Sequence, residues 1–199
     1  DCVDTSLGKL KYKYSIFCGG LHSDRLAKLD KICTKSKIVT FRGDFFRLNK
    51  NVKNKIKNLV YPVPNPKFPF LGIHFTRMTD GTIECGPNAV FTFKREDYLK
   101  NEFSFVDAFD ALSFKGTWKL FLKNWKFGLD EYKRAFSKKI FLKEINKLVP
   151  SICENDFKYY RSGVRAILLK EDGSIEDDFV FKKNNNNLHV INAPSPAAT

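Results

Sequence analysis

An α+β fold is predicted by the way the hydrophobic period changes along the chain. Up to Phe93 the apolar residues come in short β-favouring runs, from Ser104 they recur with helical spacing, and from Gly163 the short runs return. With 199 residues, 43% of them hydrophobic and 20 of them phenylalanine, there is enough apolar material for one sizeable domain or for two lobes of a larger fold.

The elements follow in order. Residues Lys11 to Phe17 end in an apolar run that stops at Cys18-Gly19-Gly20, which reads as a strand entering a tight turn, and His22 to Lys31 reads as a short helix. Strands are expected at Ile38 to Arg42, Phe45 to Leu48, Leu59 to Val63, Gly72 to Thr76, Thr82 to Cys85 and Val90 to Phe93, with Asp80-Gly81 as a hairpin turn. Ser104 and Asp107 have the spacing of a capping box, after which Phe105, Val106, Phe109 and Leu112 follow a helical period. Trp118, Phe121, Leu122 and Trp125 repeat it, as do Leu129, Tyr132, Phe136 and Ile140, and these aromatic stripes are expected to be core. Strands return at Gly163 to Lys170, Asp178 to Phe181 and Leu188 to Asn192.

The net charge of +13 raises nucleic acid, an anionic membrane or acidic small molecules as partners. Lysine is nevertheless spread along the whole chain, and the aromatics fall at core-like spacing rather than interleaved in a basic stripe, which argues against a nucleic-acid module. Five cysteines without a CxxC pair indicate neither a disulfide framework nor a zinc site and fit a reducing, cytoplasmic compartment. No apolar run reaches the length of a membrane span.

Several strings, in order, carry a resemblance: CGGLHSDRLAKL, FRGDFFRL, YPVPNPKFPFLGIHFTRMTDGTIECGPNAVFTFKREDY, GVRA, DDFVF and LHVINAPSPAAT. Together, from about Cys18 to Thr199, they resemble the L-2-hydroxyglutarate dehydrogenase/oxidase family of the D-amino-acid-oxidase-like flavoproteins. The resemblance implies a substrate-binding lobe over residues 36–170, built on a mixed or antiparallel sheet with helices. It also implies remnants of a Rossmann-like FAD-binding lobe at 1–35 and, on the chain's return, at 171–199. It further implies FAD as cofactor, oxidation of L-2-hydroxyglutarate to 2-oxoglutarate by hydride transfer to the flavin, a quinone or other electron acceptor, and peripheral attachment to the inner face of a membrane. A relative acting on an amino acid or on glycerol 3-phosphate is the alternative on the same scaffold. The dinucleotide fingerprint G-x-G-x-x-G does not occur in the 199 residues, so the chain is expected to be a fragment that lacks the usual grip on FAD and does not turn over by itself.

Oxidising a 2-hydroxy acid with a flavin calls for a base to take the hydroxyl proton and cations to hold the carboxylates. The resemblance assigns substrate carboxylate binding to Arg165 in GVRA, although alone such an arginine reads as an ion-pair residue. Ile167 and Ser162 depart from the residues usual beside that motif. His74 and His189 are the candidate catalytic residues; a strand period of two turns His74 away from Ile73 and Phe75. Tyr61 is expected in the substrate pocket. Cys18, Gly19, Gly20, Arg42 and Gly43 are expected to face the cofactor, a plain positive-φ turn being the other reading of the glycine pair. Asn192, Ala193, Pro194, Ser195 and Pro196 match the loop expected beside the flavin, where backbone N–H groups stabilise charge on the reduced ring.

Overall fold

The computed structural model describes residues 2–63 and 72–193; Pro194, Ser195 and Pro196 lie outside them. Along the chain, β1 (Cys2–Thr5) and β2 (Gly8–Lys11) form a hairpin, followed by β3 (Ser15–Phe17), a 3-10 turn (Gly20–His22) and α1 (Ser23–Leu29). Next come β4 (Ser36–Leu48), β5 (His74–Arg77), β6 (Ile83–Gly86) and β7 (Val90–Phe91). Three helices follow, α2 (Phe105–Leu112), α3 (Lys115–Phe136) and α4 (Lys138–Ile145), and then β8 (Phe157–Lys170), β9 (Val180–Asn184) and β10 (Asn187–Asn192). The first hairpin was not expected from the sequence, because nearly all its residues are exposed and it carries no buried-face alternation.

The central feature is the antiparallel ladder between β4 and β8, running from Ser36 opposite Lys170 to Leu48 opposite Phe157. Two strands were expected where β4 is one. Gly43 and Asp44 stay extended because Gly163 and Ser162 pair with them across the ladder. The register shifts once, between Phe45 and Phe46, where Tyr160 is the extra residue of a bulge. On the other edge of β4 lie β6 and β7, and β5 pairs with β6. The expected strand at Leu59 to Val63 reduces to a single bridge between Val60 and Phe75. A second sheet, in the order β3-β10-β9, joins β3 to β10 in parallel.

The main core packs Phe46, Leu48, Phe75, Cys85 and Phe157 of the large sheet against Phe141 and Ile145 of α4. A smaller core sets Ile38 and Leu168 against Ala27 of α1 and Ile191 of β10. Two of the helices, α2 and α4, start at side-chain caps: the Ser104 hydroxyl accepts from the Asp107 N–H at 3.3 Å, and the Ser137 hydroxyl accepts from Ile140 at 3.4 Å. The expectation that the helical aromatic stripes are core is met only by Leu112, Phe121, Tyr132 and Ile140, which are half-buried, and is overturned for the rest. Phe105, Val106, Phe109, Trp118, Leu122, Trp125, Leu129 and Phe136 are exposed, and the packing on the sheet is done by Phe121 together with residues outside the stripes such as Ala111, Phe114 and Leu120.

An ion cluster fastens α1 to α2 and to the 90s loop. Arg95 donates to Asp24 and to Asp110, each at 2.9 Å, Arg25 to Asp107 at 2.6 Å, and Lys37 also reaches Asp110. Burial would raise the Asp110 carboxyl, but hydrogen bonds from Lys37 and Arg95 and their charges carry it down to about 2. A depressed carboxylate contributes stability that is complete above its unfolded value and is lost as pH falls through the folded value. The urea midpoint of the full-length protein is therefore expected to fall between about pH 4 and about pH 2, and Asp110→Asn should lower the midpoint at neutral pH and flatten that acid step.

Candidate active site

Alternation along the β4–β8 ladder sorts the predicted residues onto two faces. Ile38, Arg42, Asp44, Phe46 and Leu48 turn to one. Val39, Phe41, Gly43 and Phe45 turn to the other, with Ile167, Arg165, Gly163 and Arg161 as their cross-strand partners. On β5, Phe75 is fully buried in the core with Phe46 and Cys85, so His74 turns to the face that carries Arg165.

The His74 ring stacks on Tyr61, with centroids 4.5 Å apart and planes 19° apart. Its Nδ1 is 2.9 Å from the Gly72 carbonyl. A carbonyl can only accept, so Nδ1 carries the proton and Nε2 is the acceptor of the neutral ring. Burial lowers the His74 pKa, the Gly72 contact works against that, and the nearby Arg165 charge lowers it further. At neutral pH the ring is thus an uncharged base with a defined acceptor nitrogen.

Part of the Arg165 surface is open, yet enough of the residue is enclosed for burial to lower its pKa, and no carboxylate raises it. Among the described residues Arg165 has no carboxylate within ion-pair distance. A partly enclosed guanidinium without an anion is a ready fork for a ligand carboxylate. Two residues along β8, Gly163 leaves the same face open: a Cβ there would meet only the Phe45 ring, at 3.8 Å. Gly43, opposite it, is needed by the fold, since a Cβ would lie 2.5 Å from the Pro87 Cβ and 3.0 Å from the Asn88 carbonyl oxygen. Gly43→Ala is expected to destabilise the protein by roughly 2 kcal/mol through overpacking. Gly163→Ala should stay within about 0.5 kcal/mol. Urea titration of the two variants checks the contrast, and a loss of turnover in Gly163→Ala alone would report on the open face.

Other predicted residues fall elsewhere. Arg42 is only 3% exposed, on the face opposite Arg165, where it donates to Asp44 at 3.2 Å, to Asp97 at 3.1 Å and to the Leu99 carbonyl at 2.9 Å. Its charge is met inside the fold by these partners. His189 is 1% exposed in the second sheet, stacked on Phe17 at 4.5 Å, with Nε2 held 2.9 Å from Asp30. The His189 ring is thus enclosed by the second sheet, whereas His74 is half-buried beside Arg165. Gly19 needs its bare backbone, since a Cβ would lie 2.5 Å from Leu26 Cδ1, whereas Gly20, at φ +50, meets nothing within 4 Å. Cys18 beside them is exposed. Asn192 is buried and donates to the carbonyls of Glu176 and Asp178 at 3.1 and 2.7 Å, and Ala193 beyond it is exposed.

Sequence reasoning missed Arg161 and Phe45, which share the face of Arg165. Arg161 lies over the Phe45 ring at 5.5 Å and pairs with Glu84 at 2.8 Å. Counting by twos from Arg165 along β8 finds both Gly163 and Arg161, so the signal was present. The open backbone at Gly163 and Gly20 fits the close approach of a flat ring system.

This architecture defines a class. Residues 2–197 match the family described as FAD dependent oxidoreductase, and the chain belongs to that family. Within it, the chain is 44% identical over 198 residues to the L-2-hydroxyglutarate dehydrogenase of Indibacter alkaliphilus, covering 99% of this chain and 50% of that protein. It is 44% identical to the mitochondrial L-2-hydroxyglutarate dehydrogenase of Nematostella vectensis, over 96% of this chain and 43% of that one. The L-2-hydroxyglutarate dehydrogenase of Escherichia coli K12 is 40% identical over 96% of this chain and 46% of its own length. The chain therefore spans about half the length of the curated relatives it matches. Among solved structures, dithionite-reduced L-α-glycerophosphate oxidase of Mycoplasma pneumoniae with FAD bound aligns with a TM-score of 0.59 and 19% identity, over 93% of this chain and 38% of that one. That likeness is one of fold.

Proposed function

We propose that the full-length protein oxidises L-2-hydroxyglutarate to 2-oxoglutarate with FAD, and that this chain supplies the substrate side of the site. The observation that carries the reading is the pairing of an anion-free Arg165 with a neutral His74 on one open face. FAD, when bound, supplies the hydride acceptor. Arg165 grips the carboxylate next to C2 with two parallel hydrogen bonds. His74 Nε2 takes the proton from the C2 hydroxyl, with Nδ1 anchored on Gly72 and the ring held by Tyr61. Gly163 keeps the face clear for the flavin. Residues 36–170 form the substrate lobe in this reading, and residues 1–35 and 171–199, with Cys18 to Gly20 and Asn192 to Ala193, belong to the cofactor lobe. A quinone or other acceptor takes up the electrons, and the protein attaches peripherally to the inner face of a membrane.

The test is an absorbance spectrum of the purified full-length protein before and after anaerobic addition of L-2-hydroxyglutarate. Bleaching of an oxidised-flavin band supports the assignment. A flavin that L-2-hydroxyglutarate leaves oxidised, while glycerol 3-phosphate or an amino acid bleaches it, moves the substrate to the related class.

A further inference from the structure

Helix α3 turns an apolar stripe outward instead of inward. Trp118 and Leu122 before a kink at Asn124, and Trp125 and Leu129 after it, are each spaced four residues apart, and they are 53%, 76%, 57% and 51% exposed. Beside them run Lys115, Lys119, Lys123 and Lys126, all exposed, with Asp130 next to Leu129 and Asp172 near Lys119 as their acidic neighbours. Trp125 and Leu129 also border a cavity of about 550 Å³ between α3 and the sheet, walled by Phe41, Phe91, Phe121 and Tyr132 and almost wholly apolar. The stripe thus continues inward as an apolar recess.

We propose that this face of α3 docks on an anionic lipid bilayer, its tryptophans and leucines entering the headgroup region and its lysines meeting lipid phosphates. Tryptophan beside leucine, flanked mainly by lysine, is the pattern of a helix lying in the plane of a membrane interface. A protein interface instead depletes lysine, and a coiled-coil partner is selected by charges of both signs beside the seam. The inference rests on the reading of a peripheral membrane oxidoreductase and assigns its contact surface.

The experiment is co-sedimentation of the full-length protein with phosphatidylcholine vesicles, plain or containing phosphatidylglycerol, alongside oxidation of L-2-hydroxyglutarate with a soluble dye as acceptor. The protein is expected to pellet with the anionic vesicles and to be released by salt. Lys123→Glu/Lys126→Glu should cut that partition at least about tenfold, since each lysine near an anionic surface is worth about 1 kcal/mol, and Leu122→Ser should weaken it too. Both variants should oxidise substrate with the dye as the parent does. Failure to pellet with anionic vesicles overturns the proposal, as does pelleting of the variants equal to the parent's. So does a soluble dimer that Leu122→Asp splits, because a second copy would then cover the face. If dye reduction fails in the parent while vesicle binding behaves as expected, the substrate reading falls and the docking surface stands.

Discussion

Under the proposed function, replacing Arg165 by alanine in the full-length protein is expected to lower kcat/KM for L-2-hydroxyglutarate by roughly 30-fold to several thousand-fold. That range is the about 2–5 kcal/mol lost when one partner of a desolvated charge pair is removed. The guanidinium has no carboxylate of its own among the described residues and sits beside His74, so its loss should fall on the ligand and spare the fold. The urea midpoint should stay close to the parent's. Arg165→Lys should recover only part of the loss, since an ammonium keeps the charge but not the two-pronged geometry. Unchanged kinetics in Arg165→Ala would remove it from the site.

His74→Asn is expected to cost about 10²- to 10⁴-fold in kcat, the usual contribution of a positioned general base. The pH profile distinguishes this from a packing effect. Burial and the Arg165 charge hold the His74 pKa below its ordinary value of 6.5, so the parent should keep its activity as pH falls past 6.5 and lose it only when the ring protonates. In the asparagine variant that acid limb should disappear. If the variant retains the same limb, another group is the base.

What the sequence could say about the site was set by distance along the chain. The two-residue period on β5 was enough to turn His74 away from the core, and Asp80-Gly81 was enough to mark the turn in which Met78 N–H meets the Thr82 carbonyl at 2.8 Å. Ser104 marked the start of α2 for the same local reason. The burial of Arg42 was not legible because its partner Asp97 lies 55 residues away, and because the β4–β8 register, which puts Arg42 and Arg165 on opposite faces, is a tertiary fact. The pairing of His189 was hidden likewise, since Asp30 is 159 residues away. The stripes on α2 and α3 show the limit of periodicity: helical spacing tells which residues share a side and is silent on whether anything covers it.

The parallel pairing of β3 with β10 also governs how the chain reaches this structure. Ser15 and Asn187, linked by a 2.6 Å hydrogen bond, are 172 residues apart, and β8 must likewise return across the whole helical segment to lie along β4. Such pairings give a high contact order, and the entropy of closing long loops has to be met before any of their hydrogen bonds form. On the ribosome, β3 and α1 emerge before β10 and wait for that sheet neighbour until nearly the last described residue has been made. Their apolar surface meanwhile is a natural client for chaperones, and refolding from urea should be slow even where the equilibrium favours the native state.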